Sequence, residues 1–434
     1  MSGVAAGLLG VCVLLVLLVT GMPIGVALGL VGTVGLILTL GFEPAMIKAA
    51  VLFFETLTRY ELGTLPLFML MAHLCFAADA SRDFFDVAAK MFGHRRGGLA
   101  VASVAGCAGF GSINGSSLAT TATIGLVALP EMRRRGYSDA LATGSVAAGG
   151  TLGQMIPPSG ALIVFGIIAE QSIGTLFTAA IVPGITQMLS YFLVIALLVR
   201  WRPHIAPRLA RVGWAERRAA LWRMFDIGLL VVAVTGGIAL GWVTPSEAAA
   251  VGAAGACLVC LRRRRLSLAT MGRALEDTLK TSGLIYLVII GALIFAAFIS
   301  VTGLTDAIGG AIKDLGFGQV ATMLLVALFL LVVGSVLDGL ALMLLTTPIL
   351  LPLVMEMGLS PIWFGIFLVR AMEIGFVHPP IGMNLFVIQG VAPDVPLTRV
   401  FKGVLPFLAA DLVHLVLLVI FPVLALGLPQ WLAK

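Results

Sequence analysis

Charged side chains are scarce in this chain. Asp, Glu, Lys and Arg make up only 11% of its 434 residues, whereas 60% are hydrophobic. A soluble domain cannot bury that much apolar surface, so the composition excludes an ordinary soluble protein. Long apolar runs, such as 4–18, 25–40, 227–240 and 412–428, are candidates for helices that cross a bilayer. The sequence therefore predicts an all-α polytopic membrane protein.

Histidine and cysteine are also rare. The five histidines are scattered and form no array such as His-Glu-x-x-His. Cys257 and Cys260 form a C-x-x-C motif, but no second pair or nearby histidine completes a zinc set. We therefore expect no transition-metal site, no enzyme activity, and cysteines that serve packing.

Basic residues cluster in short stretches between the apolar runs, which is the positive-inside pattern of membrane proteins. Seven arginines lie between positions 200 and 223, and a second cluster occupies 262–265. Both stretches are therefore expected in the cytoplasm. The turn between the two spans that separate them, at 241–246, is then expected on the outer side.

Two double-proline stretches indicate an internal repeat. GQMIPPSG at 153–160 and GFVHPPIG at 375–382 are separated by 222 positions, and Asn114 and Asp338, each in a polar stretch, are separated by 224. The same kinds of landmark occur in the same order at nearly one spacing. The chain is therefore expected to consist of two homologous halves.

The repeat divides the chain into a first half at 1–200, a basic cytoplasmic connector at 201–225 and a second half at 226–434. Each half has an apolar segment too short for two full crossings, at 97–130 and at 318–354. Such a segment is expected to form a re-entrant helical hairpin that enters and leaves the membrane on one side.

The charges at the ends of the two hairpins predict opposite entry sides. Arg95 and Arg96 precede the first hairpin and Arg133–Arg135 follow it, so it should enter from the cytoplasm. The second hairpin has Asp314 and Glu356 near its ends and no basic cluster. Hairpins from opposite sides are what inverted-topology repeats produce, and both termini are then expected outside.

Each double proline is expected to break a membrane helix, at about 138–172 and 361–390, because proline lacks a backbone N–H and clashes with the preceding turn. Unpaired carbonyls in lipid are costly, so such breaks persist where an ion, a substrate or water satisfies them. Unwound carbonyls suit Na⁺, and the N-terminus of the following half-helix attracts an anion.

The hairpin tips and helix breaks would bring oxygen donors together. These donors suit Na⁺ and a polar organic anion better than a transition metal. The alternative is that the hydroxyl groups serve close helix packing. The candidates are Ser112, Asn114, Ser116, Ser117 and Asp338 at the tips, Thr120, Thr121, Thr123, Thr346 and Thr347 on the second arms, and Asn384 after the second break.

Arg370 and Glu373 lie three residues apart just before the second break, where a charge is costly. One interpretation is a mutual salt bridge that holds the broken helix in place. The other is that Arg370 contacts a substrate carboxylate. Asp338 is similarly open, since it could bind an ion or act as the N-cap of the second hairpin arm.

At these motifs the chain resembles the large membrane subunit of TRAP transporters, the tripartite ATP-independent periplasmic systems. The resemblance covers essentially the whole chain. Its motifs are GFGSINGSSLATTATIG (109–125), GGTLGQMIPPSG (149–160), TPSEAAAVG (244–252), GSVLDGLALMLLTTPILLP (334–352) and HPPIGMNLFV (378–387).

The resemblance implies an elevator-type importer of the bacterial inner membrane that is coupled to Na⁺ and needs no other cofactor. Its solute would be a carboxylate-type organic acid, delivered by a soluble periplasmic binding protein of the DctP type. A small four-helix membrane subunit of the DctQ type would be a further partner, expected as a separate chain because the first repeat starts near residue 4.

The resemblance also implies positions for the ions. The implied Na⁺ ligands are Ser112, Asn114, Pro157 and Gly160 in the first half, and Gly334, Asp338, Pro380 and Asn384 in the second. The candidates for contacts with substrate are Ser116, Ser117, Thr123, Thr347 and Arg370.

Two further expectations remain open. The amphipathic segments Met46–Tyr60 and Ala269–Thr281 could brace fixed and moving parts at the membrane surface, or be ends of tilted spans. The alternative function is a stand-alone Na⁺- or H⁺-coupled organic anion carrier without partner subunits.

Overall fold

The computed structural model describes residues 2–314, 316–335, 337 and 339–432, without the side chains of 312–314. Asp338, a predicted ion ligand, lies outside the described residues. Within the described part the chain is helical and has no strand, which confirms the all-α class. The helices are α1 Gly3–Val19, α2 Ile24–Leu40, α3 Phe42–Thr58, α4 Thr64–Ala77, α5 Ala80–Phe92, α6 Gly98–Asn114, α7 Ser117–Arg134, α8 Asp139–Met155, α9 Gly160–Ile168, α10 Ile173–Trp201, α11 Trp214–Ala239, α12 Pro245–Arg262, α13 Leu268–Thr302, α14 Leu304–Asp314, α15 Gln319–Gly334, α16 Gly339–Glu356, α17 Pro361–Val377, α18 Met383–Val391, α19 Leu397–Ile420 and α20 Val423–Leu432, with short 3-10 helices at Tyr60–Gly63 and Pro203–Ile205.

The described helices suit a membrane protein with several spans. Six helical stretches in the described chain are long and apolar enough to cross a bilayer, one of them formed by the 3-10 helix Tyr60–Gly63 together with α4, and α8 with α9 adds a seventh if the bent pair is one span. Shorter apolar helices, including α1, α2, α6 and α15, accompany them. The predicted multi-pass class therefore agrees with the helices that form.

Helix boundaries recur at the spacing that the proline motifs show. Helix α8 and helix α17 are offset by 222 residues at both ends, and so are α7 and α16. Shorter neighbours follow the same order, with α9 matching α18 and α5 matching α14. The opposite entry sides of the two hairpins remain a prediction from the arginine distribution.

The two halves differ at α3, α4 and α13. The first half has α3, a 3-10 turn and α4 where the second half has the single 35-residue helix α13. Arg59 adopts an extended conformation between α3 and the 3-10 turn, and its guanidinium donates to the carbonyl oxygen of Ile167 at 3.3 Å. The segment 269–281, for which a brace and the end of a tilted span were both open, is the first part of α13 and is continuous with the span.

The core of the bundle is centred on α8 and α17, which pack against each other. Every residue from Trp363 to Val377 of α17 is buried. Helix α8 is rich in Gly, Ala, Ser and Thr, and this composition allows backbones to approach closely in a membrane. A Cβ atom at Gly144 would lie 2.2 Å from the carbonyl oxygen of Gly403 in α19, so only glycine permits that contact.

Ion pairs join the two halves near one end of the bundle. Arg133 of α7 binds Asp139 at 3.2 Å and Asp394, in the loop before α19, at 2.5 Å. The hydrogen bond from Arg133 lowers the pKa of the Asp394 carboxyl below its ordinary value.

The stretch predicted as the connector, 201–225, ends inside α11, because that helix already begins at Trp214.

Candidate functional site

The tip of the first hairpin is closed by its own side chains. Gly115 links α6 to α7 with a φ of +62°, a conformation that glycine adopts readily. Oδ1 of Asn114 accepts from the backbone N–H of Ser116 at 2.6 Å, and Nδ2 of Asn114 donates to Oγ1 of Thr120 at 3.2 Å. Ser116 then caps α7 by accepting from the N–H of Ala119. The tip is therefore a turn with oxygen atoms around it.

The first helix break lies directly against this tip. Helices α8 and α9 are bent by 41° at the break, and the bond Pro157–Pro158 is cis. A Cβ atom at Gly115 would be 2.9 Å from the carbonyl oxygen of Pro158 and 3.0 Å from the nitrogen of Gly160. Ser159 caps the new helix by accepting from the N–H of Leu162. Glycine at the tip thus lets two irregular backbone segments touch.

A cavity of about 310 Å³ opens where tip and break meet. Asn114, Ser116, Gln154 and Gly160 contribute to one wall. The opposite wall comes from α4 and α13 and includes Phe68, Met69, Thr281 and Ile285. Its volume is at the small end of the range for organic ligands, and a few polar groups lie in an otherwise apolar lining, as in many ligand sites.

Gln154 is a site residue that sequence reasoning missed. It lies in the GQMIPPSG motif, one turn before the break, and its side chain lines the cavity. Its Oε1 atom is buried and has no hydrogen-bond partner within the described chain. A buried oxygen without a partner is a candidate ligand for a cation or a donor group on a solute. A glutamine next to a double proline was the available signal.

The predicted ligands of the first half lie on two sides of the break. Asn114 and Gly160 line the cavity just described, whereas Ser112 and Pro157 line a second cavity of about 440 Å³ between α6, α10 and α11. The hydroxyl of Ser112 donates to the carbonyl oxygen of Gly109 at 2.7 Å. The four residues are therefore close in the fold without sharing one cavity.

The second half repeats the contact between hairpin and break. A Cβ atom at Gly375 would lie 2.7 Å from the carbonyl oxygen of Gly334, where α15 ends. The bond Pro379–Pro380 is cis, and Pro380 is exposed. The corresponding helices of the first half also touch, since a Cβ atom at Gly111 would lie 2.4 Å from Cα of Gly153.

Asn384 connects the halves instead of facing the second hairpin. Its Nδ2 donates to Oγ of Ser117 at 2.9 Å and to the carbonyl oxygen of Ala147 at 3.1 Å, both in the first half. Ser117, a predicted substrate contact, is occupied by this bond. Oδ1 of Asn384 is buried without a partner in the described chain.

Thr123 and Thr347 lie away from the first cavity. Thr347 is fully buried, and its hydroxyl donates to the carbonyl oxygen of Met343 at 2.6 Å in its own helix. Thr123 is half-buried on α7, two turns beyond the tip. Neither is among the described residues that line the cavity around Asn114. For Thr347 the contacts favour the packing interpretation.

Arg370 is fully buried, and its guanidinium is enclosed by other side chains. It donates to Glu373 at 3.2 Å, to Asp411, and to Nδ1 of His414 at 3.1 Å. The predicted contact with Glu373 is therefore present, together with two partners on α19 that the sequence pattern did not indicate. These contacts favour the structural interpretation of Arg370 over contact with a substrate.

The TPSEAAAVG motif forms a helix start. Thr244 and Glu247 make a capping box at the beginning of α12, with Pro245 in the first turn. The hydrogen bonds from Thr244 lower the pKa of the Glu247 carboxyl. Oγ of Ser246 lies 2.6 Å from Oγ1 of Thr64, so the motif also ties α12 to α4, which forms part of the cavity wall.

Residues 11–424 match the family described as "Tripartite ATP-independent periplasmic transporter, DctM component". The chain belongs to this family. It is 36% identical, over 94% of each chain, to the C4-dicarboxylate TRAP transporter large permease protein DctM of Pseudomonas aeruginosa. It is 30% identical to the sialic acid TRAP transporter large permease protein SiaM of Vibrio cholerae, over 95% of this chain and 96% of that one.

Two further comparisons extend the DctM assignment. The isethionate TRAP transporter permease protein DctMQ of Oleidesulfovibrio alaskensis is 33% identical, and the match covers 93% of this chain but 63% of that longer protein. The fold is similar to that of the YdaH transporter of Alcanivorax borkumensis, with a TM-score of 0.58 and 16% identity over 91% of this chain and 89% of that one. The DctM relatives are transporter permeases and not enzymes, as the sequence predicts.

Proposed function

We propose that this DctM chain is the large membrane subunit of a Na⁺-coupled importer of a carboxylate-type organic acid. The observation that carries the proposal is the cavity around Asn114, Ser116, Gln154 and Gly160. It combines unpaired or weakly paired oxygen atoms with the N-terminus of α9. Oxygen atoms suit Na⁺, and the positive end of a helix dipole suits a carboxylate.

The names of the relatives support an organic acid as solute. They name C4-dicarboxylates, sialic acid, isethionate and 2,3-diketo-L-gulonate, all of them anions at neutral pH. The cavity contains no acidic side chain among its described lining residues. An anion would therefore meet no like charge there.

The two walls of the cavity support an elevator mechanism. One wall belongs to the hairpins and broken helices, and the other to α4 and α13. A solute held between tip and break would move with the first wall while the second stays fixed. We place the chain in the bacterial inner membrane with both termini in the periplasm.

The partners we propose are a periplasmic binding protein and a small four-helix membrane subunit. The family description names a tripartite periplasmic system, and more than a third of the longer DctMQ relative lies outside its match to this chain. A separate small subunit would supply the corresponding part here.

Uptake into proteoliposomes tests the proposal. The vesicles would hold the chain and its small subunit, and labelled organic acids would be offered with and without an inward Na⁺ gradient and with and without the binding protein. We expect uptake only when both are present. Uptake that needs Na⁺ but no binding protein would indicate the stand-alone carrier, and uptake that needs neither would contradict coupling.

A matched pair of glutamine variants tests the cavity. Gln154→Ala removes the unpaired cavity oxygen and is expected to lower uptake at least tenfold, equivalent to about 1.4 kcal/mol of lost binding. Gln389→Ala removes a half-buried glutamine of α18, outside the lining of this cavity, and should retain uptake. If Gln154→Ala retained uptake as Gln389→Ala does, Gln154 would be excluded from the site.

A further inference from the structure

A second group of polar side chains lies in the helix bundle and contributes nothing to the first cavity. Arg370 and Glu373 of α17 and Asp411 of α19 are each 0% exposed. Arg370 uses Nη1 for Glu373, Nη2 for Asp411 and Nε for Nδ1 of His414. Every nitrogen of the guanidinium therefore has a partner within this buried cluster.

The hydrogen bonds of His414 show that its ring is neutral. A guanidinium only donates hydrogen bonds, so Nδ1 of His414 must accept the bond from Arg370. Nε2 lies 2.8 Å from Oγ1 of Thr186, and the Thr186 hydroxyl donates to carbonyl oxygens of its own helix. Nε2 consequently carries the single ring hydrogen, and His414 adds no positive charge.

The buried cluster then has one arginine and two carboxyl groups. If both carboxyls were ionised, a net negative charge would be buried without a counter-charge, which is costly. Tyr191 of α10 is the remaining titratable side chain that faces the cluster. The other charged residues on the described helices packed against α17 and α19 lie near helix ends, and they are Asp139, Arg200, Glu356, Arg399 and Lys402.

The hydrogen bonds of Gln187 indicate that the neighbouring Glu373 carboxyl is protonated. Its side chain lies against the carboxyl of Glu373. Both hydrogens of its amide nitrogen are used, for Oγ1 of Thr151 at 3.0 Å and for the hydroxyl of Tyr191 at 2.9 Å. Oε1 of Gln187, Oε1 of Glu373 and Oδ2 of Asp411 are all buried without a partner in the described chain, and the hydroxyl of Tyr191 faces the Asp411 carboxyl. Oε1 of Gln187 and Oε1 of Glu373 are both satisfied when the Glu373 carboxyl carries a hydrogen and donates it to Gln187.

We propose that this cluster is a proton-binding site in which Glu373 carries a hydrogen on Oε1 and donates it to Oε1 of Gln187. The carboxylate takes this proton from hydronium in the medium: an O–H bond forms on Oε1, an O–H bond of hydronium breaks, and water is released. The bound proton leaves Arg370 balanced by Asp411 and gives Oε1 of Glu373 and Oε1 of Gln187 a partner. Glu373 lies two residues before Gly375, so its charge bears on the contact between the second break and hairpin.

The site goes beyond Na⁺ coupling and is independent of the solute. A glutamate in water is ionised at neutral pH. A proton retained by the folded chain and released by the unfolded one makes the folded state less stable as pH rises. The proton-binding site therefore predicts that Glu373 makes thermal stability fall as pH rises above the range in which a free glutamate ionises.

Infrared spectroscopy tests for the proton directly. The full chain would be reconstituted in lipid nanodiscs at neutral pH, and the C=O stretch of a protonated carboxylic acid, which is separate from carboxylate bands, would be recorded. We expect a difference band between wild type and Glu373→Gln, and none between wild type and Glu247→Gln, the control at an exposed glutamate. Gln187→Leu should shift the band, because the acceptor is lost.

Three results would overturn the site. No band would mean that Glu373 is ionised, and an unshifted band in Gln187→Leu would mean that Gln187 does not accept the hydrogen. A band that appears only after Na⁺ is replaced by K⁺ would assign the position to Na⁺. Thermal unfolding provides a second measurement: Glu373→Gln should flatten the fall in Tm as pH rises through neutrality, and an unchanged pH profile would contradict the proposal.

Discussion

At the scale of single residues, Gly115 carries the sharpest constraint in the first site. It has a φ of +62°, and a Cβ atom would meet Pro158 and Gly160 across the break. Gly115→Ala is therefore expected to lower the free energy of unfolding by more than the roughly 1–2 kcal/mol of a left-handed alanine. It should also abolish most uptake, because the added Cβ atom would push the tip away from the break. Thermal unfolding and uptake would be measured together.

Gly136 provides the matched control. Its φ is +78°, and a Cβ atom there would lie 3.9 Å from its nearest neighbour, a side-chain carbon of Pro207. Gly136→Ala therefore introduces the same backbone strain without the close contact. If both variants lost uptake to the same extent, backbone strain rather than tip-to-break contact would explain the effect.

Single residues also show which features of the site a local sequence pattern can predict. In the described chain a helix ends at each double-proline motif and at Asn114, because a broken helix has a local cause in the chain. The side chains that meet there depend on distant partners. Asn384 bonds to Ser117 and Ala147, more than 200 positions away in sequence, and no local pattern encodes such a contact.

At the scale of elements, Arg59 joins the turn before α4 to the end of α9 and to the loop that follows it. Its guanidinium donates to the carbonyl oxygen of Ile167 at 3.3 Å and pairs with Glu170 at 3.3 Å. Glu170 is 77% exposed, so the ion pair contributes little to stability. Because the contact links the two walls of the proposed elevator, it would have to break during each transport cycle.

Arg59→Gln is therefore expected to raise the uptake rate about twofold to fivefold, which corresponds to less than about 1 kcal/mol of released contact energy. The Tm should stay within a degree or two of wild type. Initial uptake rates in proteoliposomes would be compared with those of Arg218→Gln, a control in α11. A slower rate in Arg59→Gln would show that the contact supports the working conformation rather than restraining it.

At the scale of the whole molecule, the arginine distribution predicts an orientation in the membrane. The turn at 241–246 should face the periplasm and the Arg262–Arg265 stretch the cytoplasm. In a variant without the five native cysteines, Trp242→Cys should react with a membrane-impermeant maleimide in spheroplasts, which expose the periplasmic face. Ser267→Cys should react only after the membrane is opened. The reverse pattern would invert the predicted topology and place both termini inside.

The sequence by itself determined the membrane class, the family motifs, the repeat spacing and the places where helices break. These properties depend on composition, periodicity and local backbone chemistry, which are written along the chain. Only the tertiary structure decided that Gln154 lines the cavity, that Asn384 bridges the halves, and that Arg370 meets Asp411 and His414. Those contacts join positions far apart in the chain, and they form because close helix packing in the folded bundle brings them within hydrogen-bond distance.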